Sequence, residues 1–348
     1  MAHGPTLATG GNSDTAQSSG RIRVAVRVRP FSVKEKETGA RCIITMANNQ
    51  TKILDPAYFD AEEDLGHNDE RSMWERTFTF DNSFWSGSLP SETKIKGSLP
   101  STALTEQADV YCALGEFLVD NACKGFNCSL FAYGQTGSGK TYTMLGDSSD
   151  LQTAAGPGRA GIIPRLCVEL FQRFNTEPNT KDRPGMKDLE EASVEVSFCE
   201  IYNEQVRDLF TPSEGHGLRV REHPSRGAFV EGLSAKAVKS YGQVQALLEL
   251  GMASRVTAAT AMNEVSSRSH AIFTINVKAT VRTKAPTREG KSGIGRTSVD
   301  QDTTEEALSK ICLVDLAGSE RANSTGAKGD RLREAANINK SLSTLGDV

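Results

Sequence analysis

Large apolar residues occupy every second position from residue 22 to residue 28 of this chain, with arginine or alanine between them. Such alternation predicts a half-buried β-strand, and Pro30 predicts its end because proline has no N–H to donate to a sheet. The same alternation recurs at residues 77–80. Longer apolar runs predict the remaining strands, at residues 128–133, 194–202, 218–222, 271–277 and 311–316.

Apolar residues at helical spacing predict the helices. Val110, Leu114, Phe117 and Leu118 lie at this spacing in a segment that ends before Gly125. Further helices are predicted at residues 142–145, 162–174 and 244–252. Because strands and helices alternate along the chain, we expect an α/β fold with a central mixed, mostly parallel β-sheet flanked by helices on both faces.

Four segments lack this periodicity. Residues 1–20 are rich in Gly, Ser, Thr and Ala and predict a disordered leader. Residues 48–76 and 86–106 predict loop insertions, and residues 282–310 predict a long mobile loop. We interpret residues 21–348 as one nucleotide-binding domain with surface insertions, in preference to two domains.

Composition narrows the class of protein. The chain has 348 residues, of which 37% are hydrophobic and 24% charged, as in soluble globular proteins. Its formal net charge of −4 argues against nucleic-acid binding, so an acidic partner would have to meet a local basic face. The 7 cysteines show no C-x-x-C spacing, which favours reduced thiols in the cytosol. No apolar run approaches the length of a membrane-spanning helix.

One glycine-rich segment carries the clearest chemical signal. It follows the apolar run 128–133, matches the pattern G-x-x-x-x-G-K-[ST], and consists of Gly134, Gln135, Thr136, Gly137, Ser138, Gly139, Lys140 and Thr141. A strand followed by a Gly-rich turn and a helix N-terminus surrounds phosphate with backbone N–H groups. The lysine of this pattern reaches the β- and γ-phosphates, and the Thr141 hydroxyl is a ligand for Mg²⁺. The segment therefore predicts a nucleoside-triphosphate site, a P-loop.

Two further segments can complete such a site. Asp315 ends the apolar run 311–314, where its carboxylate can hold the water shell of Mg²⁺, and Gly318 leaves its N–H open to a γ-phosphate oxygen. Ser266, Ser267 and Arg268 lie just before a predicted strand, where hydroxyls can order an attacking water. Taken singly, a solvated strand end and a Ser-rich cap are ordinary alternatives.

Together these segments resemble the nucleotide site of the kinesin motor family, and the resemblance covers residues 21–348. Further family segments occur in family order: Arg27-Val28-Arg29-Pro30, Phe78-Thr79-Phe80-Asp81, Gly161-Ile162-Ile163-Pro164-Arg165, Val196 to Glu204, and Asp315-Leu316-Ala317-Gly318-Ser319-Glu320. The resemblance implies the P-loop NTPase fold of kinesin motors. It also implies a plus-end-directed, microtubule-stimulated ATPase that couples hydrolysis of Mg-ATP to movement.

The resemblance implies roles for single residues. The adenine contacts are Arg27, Pro30 and Tyr142. The Mg²⁺ environment consists of Thr141, Ser267 and, through water, Asp315. The catalytic group consists of Ser266, which positions the lytic water, together with Ser267, Arg268, Gly318 and Glu320. Arg268 and Glu320 are expected to form a salt bridge that closes the site when γ-phosphate is bound. His270 is expected to be a packing or hydrogen-bonding residue and not a catalytic base.

The partner implied by the resemblance is the microtubule, met through a basic face. The basic residues that match this face are Arg219, Arg221, Arg226, Lys328, Arg331, Arg333 and Lys340. Tubulin is acidic, so binding through these residues should weaken with added salt. We expect a cytoplasmic protein on the microtubule cytoskeleton, with no nucleic-acid partner and no direct membrane contact, that dimerises through elements of a longer protein.

Residues 218–224 and 321–329 resemble most the kinesin-three branch of vesicle transporters. The chain ends at Val348, inside the helix that begins the main tubulin-binding region of the family, and we therefore expect an incomplete motor domain. One alternative is a truncated, non-motile ATPase fragment that binds microtubules or a partner. Another is a signalling GTPase, but Asn339-Lys340-Ser341-Leu342 lacks the final aspartate of the guanine motif Asn-Lys-x-Asp.

Overall fold

A computed structural model describes most of the chain, and its internal contacts divide it into two compact units, Met1–Ala103 and Leu104–Val348. The described residues are 22–61, 71–87, 104–147, 159–175, 189–211, 217–224, 227–260, 267–283, 303–320 and 340–344. The predicted leader and residues 88–103 of the second predicted insertion lie outside them. The single-domain interpretation stays a prediction.

The first unit contains short strands and helices. Its strands are β1 (Ala25–Val28), β2 (Ile44–Ala47), β3 (Gln50–Leu54), β4 (Glu75–Thr79) and β5 (Asn82–Trp85). Its helices are α1 (Val33–Glu37), α2 (Tyr58–Ala61) and α3 (Arg71–Trp74). β1 pairs in parallel with β5, while β2, β3 and β4 form an antiparallel three-stranded sheet. Residues 48–76 are therefore not one inserted loop, because β3 and two short helices lie within them.

The second unit is built around a six-stranded sheet. The strands of this unit, including two that lie outside the six-stranded sheet, are β6 (Cys128–Ala132), β7 (Leu189–Tyr202), β8 (Gln205–Asp208), β9 (Arg219–His223), β10 (Gly227–Glu231), β11 (Lys236–Val238), β12 (His270–Thr283) and β13 (Thr303–Asp315). Its helices are α4 (Gln107–Cys123), α5 (Lys140–Leu145), α6 (Ile162–Asn175) and α7 (Tyr241–Thr260). The sheet order is β11-β7-β12-β13-β6 with β8 beside β7, and β9 and β10 form a separate antiparallel pair.

The central sheet is mixed, as expected, but the expectation that it is mostly parallel is wrong. Among the described strands of this sheet, the β6–β13 pairing is parallel and every other pairing is antiparallel. The reason lies in β12 and β13, which pair in antiparallel register from Ala271 opposite Asp315 to Thr283 opposite Thr303. Residues 282–283 and 303–310, at the two ends of the predicted loop 282–310, therefore belong to strands.

The buried core lies where the helices cover one face of the central sheet. Phe198 of β7 and Phe273 of β12 stand opposite each other with ring centroids 5.6 Å apart, and both are buried. Gly251 of α7 lies against the Phe198 ring, so α7 packs on this face. Helix cover on the second face stays a prediction. No helix in the described part of the chain is long and apolar enough to cross a membrane.

Candidate functional site

The glycine-rich segment forms the turn between β6 and α5. β6 ends at Ala132 and α5 begins at Lys140, with Gly139 as the residue before the helix. Gly137 and Gly139 have φ angles of 77° and 96°, in the left-handed region that side chains other than glycine rarely enter. The segment therefore has the strand, turn and helix order that was predicted for it.

Lys140 is turned back onto this loop. Its Nζ donates hydrogen bonds to the carbonyl oxygens of Gly134, at 2.9 Å, and Gln135, at 3.0 Å. Burial lowers the pKa of the Lys140 amine, against the opposing effect of the carboxylates of Asp315 and Glu320. The loop thus carries a partly buried ammonium group that can bind phosphate oxygens, and the two nearby carboxylates favour its charged form.

Thr141 and Asp315 meet at the start of α5, although they lie 174 positions apart in the chain. β13 runs parallel to β6 with Asp315 opposite Ala132, so both strands end at the same edge of the sheet. The Thr141 hydroxyl donates a 2.5 Å hydrogen bond to Oδ2 of Asp315. The second carboxylate oxygen, Oδ1, is buried and accepts no hydrogen bond within the described residues.

This pair fits a Mg²⁺ ion. Mg²⁺ is typically held by one or two protein oxygens together with waters and substrate phosphates, and it does not require a cage of carboxylates. Among the described residues, no three His, Cys, Asp or Glu side chains gather as a metal site. The Thr141 hydroxyl and the unpartnered oxygen of Asp315 provide the smaller set of oxygen atoms that such a site uses.

The loop after Asp315 is bound to the P-loop by its backbone. The N–H of Leu316 donates to the Ala132 carbonyl at 3.2 Å, and the N–H of Ser319 donates to the Gly134 carbonyl at 3.1 Å. The N–H of Gly318, predicted to meet a γ-phosphate oxygen, donates in this structure to the Ser267 carbonyl at 2.8 Å. Contact between this N–H and phosphate would therefore require the bond to Ser267 to open.

Glu320 binds the P-loop directly. Its carboxylate accepts hydrogen bonds from the backbone N–H of Thr136, at 2.8 Å, and from the Thr136 hydroxyl, at 2.5 Å. Partial burial raises the pKa of Glu320, but these hydrogen bonds and the charge of Lys140 outweigh burial and lower the pKa. The salt bridge between Glu320 and Arg268 stays a prediction.

The predicted adenine contacts are divided between the two units. Arg27 lies on β1 of the first unit, where its Nε donates to the Ser86 hydroxyl at 3.0 Å. Pro30 follows β1, is exposed, and accepts a hydrogen bond from Arg29. Tyr142 lies on α5 of the second unit with a side chain that is 43% exposed. The joint role of these residues stays a prediction, and Ser266 lies outside the described residues.

His270 is a hydrogen-bonding residue of the interior. Its Nδ1 accepts from the N–H of Ala317 at 3.1 Å, and its Nε2 lies 2.7 Å from the Ser341 hydroxyl. Since Nδ1 accepts, the neutral ring carries its proton on Nε2 and donates it to Ser341. Burial, reinforced by the charge of Arg255, lowers the pKa of His270.

A buried ion pair next to the site was missed in the sequence. Arg255 of α7 and Glu200 of β7 are 3% and 0% exposed, and the Arg255 Nε lies 3.3 Å from Glu200 Oε1. Another guanidinium nitrogen of Arg255, Nη1, lies 3.8 Å from Oδ2 of Asp315. The available signal was the single charge of Glu200 within the apolar segment around Cys199 and Ile201.

Known proteins resemble the chain over nearly its whole length. The chain is 43% identical to kinesin-like protein KIF1A of Rattus norvegicus over 327 residues, which is 94% of the chain and 16% of the rat protein. It is 44% identical to kinesin-like protein Klp98A of Drosophila melanogaster over 328 residues, which is 94% of the chain and 22% of the fly protein. The chain therefore spans less than a quarter of the length of either protein.

Solved structures give the same result. A structure described as KIF14 with ADP in complex with a microtubule matches with a TM-score of 0.66 and 37% identity, over 94% of this chain and 77% of that one. A structure described as a fast kinesin matches with a TM-score of 0.65 and 31% identity, over 93% of this chain and 73% of that one. A family model, the kinesin motor domain, matches residues 27–348, across both compact units. The chain thus belongs to the kinesin motor domain family.

Proposed function

We propose that this chain binds and hydrolyses Mg-ATP and couples hydrolysis to microtubule binding and movement. The observation that carries the proposal is the convergence of three side chains at the P-loop. The Thr141 hydroxyl lies 2.5 Å from Oδ2 of Asp315, and the Glu320 carboxylate accepts a hydrogen bond from the backbone N–H of Thr136. Such convergence joins a phosphate-binding loop to a carboxylate suited to Mg²⁺ and to a movable acidic latch. Solved relatives described as bound to ADP and to microtubules support the proposal.

The residues of the chain divide the work of the reaction. The P-loop amides and Lys140 bind and orient the phosphates, and Thr141 and Asp315 would hold Mg²⁺ at the strand ends. When bound, Mg²⁺ neutralises charge on the phosphate oxygens. Ser266 would position the attacking water, and Ser267 would complete the Mg²⁺ environment. As the water oxygen bonds to the γ-phosphorus, the bond from phosphorus to the leaving oxygen of ADP breaks in line with it, and both protons of the water end on oxygens of the released phosphate.

Closure of the site is a two-state step. In the state described here, the Gly318 N–H binds Ser267 and Glu320 binds Thr136. A γ-phosphate that accepts from Gly318 competes with the first bond, and Arg268 competes with Thr136 for the Glu320 carboxylate. The triphosphate can therefore favour a closed site in which γ-phosphate replaces Ser267 at Gly318 and Arg268 replaces Thr136 at Glu320.

A basic face on an acidic chain would provide microtubule affinity. Arg219 and Arg221 lie on β9 with exposed side chains, and Lys340 is exposed as well. Arg221 is paired with Glu231 at 3.1 Å, so its charge is shared in part with its own hairpin. We assign the chain to the microtubule cytoskeleton and, given its similarity to KIF1A, to the kinesin-three branch. Plus-end direction and dimerisation of a longer protein stay predictions.

Steady-state ATP turnover with and without microtubules tests the proposal. We expect microtubules to stimulate turnover strongly at low salt, and stimulation to weaken as salt rises. Lys140→Ala is expected to abolish turnover, because it removes the cation that orients the phosphates. Equal turnover with and without microtubules would contradict the motor function and leave an ATPase without filament coupling.

A further inference from the structure

The buried guanidinium of Arg255 lies across the ends of the strands that carry the nucleotide site. Glu200 of β7, Ala271 of β12 and Asp315 of β13 form one row, since Ala271 pairs with Glu200 on one side and with Asp315 on the other. Paired residues of neighbouring strands point to the same face, with strands about 4.8 Å apart. The two carboxylates therefore flank the small side chain of Ala271, and Arg255 from α7 lies between them.

Arg255 is held in this place by several contacts. Its Nε lies 3.3 Å from Glu200 Oε1, and its Nη2 donates to the carbonyl and hydroxyl oxygens of Ser269, both at 3.1 Å. The Ser269 hydroxyl in turn donates to Glu200 Oε1 at 2.5 Å. Ser269 is fully buried and follows Arg268, so the same guanidinium also anchors the end of the Ser-rich segment.

The contact with Asp315 is of a different kind. Nη1 of Arg255 lies 3.8 Å from Asp315 Oδ2, which is close enough for charge attraction and too far for a hydrogen bond. Because Glu200 and Ser269 hold the guanidinium at this distance, the Asp315 carboxylate is attracted to Arg255 but accepts no hydrogen bond from this Nη1. Its buried Oδ1 keeps its lone pairs, and Oδ2 stays on the Thr141 hydroxyl.

We propose that Arg255, held by Glu200, is the positioning residue that keeps the Asp315 carboxylate beside Thr141 for Mg²⁺. The inference rests on the proposed function, since it concerns the same nucleotide site. In this proposal Arg255 acts through Asp315 and not by its own contact with nucleotide or metal. Loss of such a supporting contact typically weakens metal binding 10- to 100-fold.

The test removes the cation together with the Glu200 carboxylate, so that Glu200 is not left as an unpaired buried charge. Arg255→Met by itself strands the Glu200 carboxylate in the interior and favours unfolding. The test variant is therefore Arg255→Met with Glu200→Met, since an apolar pair commonly replaces a buried ion pair at little cost in stability. The matched control is Arg173→Met with Glu169→Met, which removes a partly buried Arg–Glu pair on α6 together with the contacts of that pair to Asp120 and Tyr111.

The measurement is binding of a fluorescent ADP, titrated with Mg²⁺ and repeated in excess EDTA, beside a thermal unfolding curve. For the Arg255/Glu200 double variant we expect native-like unfolding, ADP affinity in EDTA within twofold of wild type, and a Mg²⁺ requirement raised at least tenfold. The control variant should keep the wild-type Mg²⁺ requirement.

Two results overturn the inference. One is an unchanged Mg²⁺ requirement in the folded double variant. The other is an equal loss of ADP affinity with and without Mg²⁺, which would indicate a purely structural role. If the wild-type chain itself binds ADP without regard to Mg²⁺, the proposed function fails first, and the inference fails with it.

Discussion

The hydroxyl of Thr136 holds Glu320 on the P-loop, and its removal should favour the closed site. In Thr136→Ala the carboxylate loses the 2.5 Å hydrogen bond from Oγ1 and keeps the 2.8 Å bond from the backbone N–H. A hydrogen bond to a charged group contributes about 1.5–3 kcal/mol when buried. Because Thr136 is exposed, we take about 1 kcal/mol.

This energy predicts a change in nucleotide preference. The open state described here is destabilised by ~1 kcal/mol relative to the closed one, which corresponds to about a fivefold shift in their equilibrium. A non-hydrolysable ATP analogue, which selects the closed site in the proposed cycle, should therefore bind about fivefold more tightly. ADP lacks the γ-phosphate, so its affinity should stay within about twofold of wild type.

Fluorescence titration with both nucleotides measures this ratio. Ser319→Ala is the matched control, since it removes the hydroxyl next to Glu320 and keeps the backbone hydrogen bond of Ser319 to Gly134. In a Glu320→Gln background the effect of Thr136→Ala should shrink below about twofold, because the charged acceptor is gone. If the ATP analogue binds the Thr136→Ala variant no more tightly than it binds the wild-type chain, the two-state assignment of Glu320 is wrong.

Two further predictions concern the same loop and the interior beside it. A Cβ on Gly318 would collide with the Glu320 carboxylate and the Thr136 hydroxyl, so Gly318→Ala should slow single-turnover ATP hydrolysis at least about tenfold, with Ser319→Ala as the control. The pKa of His270 is lowered in the folded state, so the unfolded chain takes up the proton first on acidification. Urea unfolding should therefore show stability falling as pH drops below about 6.5, and His270→Asn should flatten that slope; an equally steep slope in the variant would contradict the assignment.

The nucleotide half of the site could be predicted because its chemistry is local in sequence. The P-loop needs glycines, a lysine and a threonine at adjacent positions, and the turn from β6 into α5 has the order that was expected. The spacing of apolar residues likewise predicted the helix that ends before Gly125 and the strand that ends at Asp315. Strand ends were predicted less well. β12 and β13 are longer than their apolar runs, because each strand pairs with the other over its whole additional length.

The contacts that join distant segments could not be predicted in this way. Side-chain spacing does not say whether neighbouring strands run parallel, so a sheet with mainly antiparallel pairs was expected to be mostly parallel. The contact of Glu320 with Thr136, which precedes it by 184 positions, was not foreseen, and the bridge from Glu320 to Arg268 stays a prediction for the closed site. Either partner satisfies a carboxylate, and only the folded geometry selects between them.

From sequence alone, this chain is a member of the kinesin motor domain family with a P-loop whose phosphate-binding residues are contiguous. Tertiary structure decided which charges share the interior with that loop. Arg255 and Glu200 lie on a helix and a strand that give no chemical sign of their meeting, and they come together because α7 packs across the strand ends. Burial removes the water that would screen these charges, so that each depends on its partner, and burial is a property of the fold.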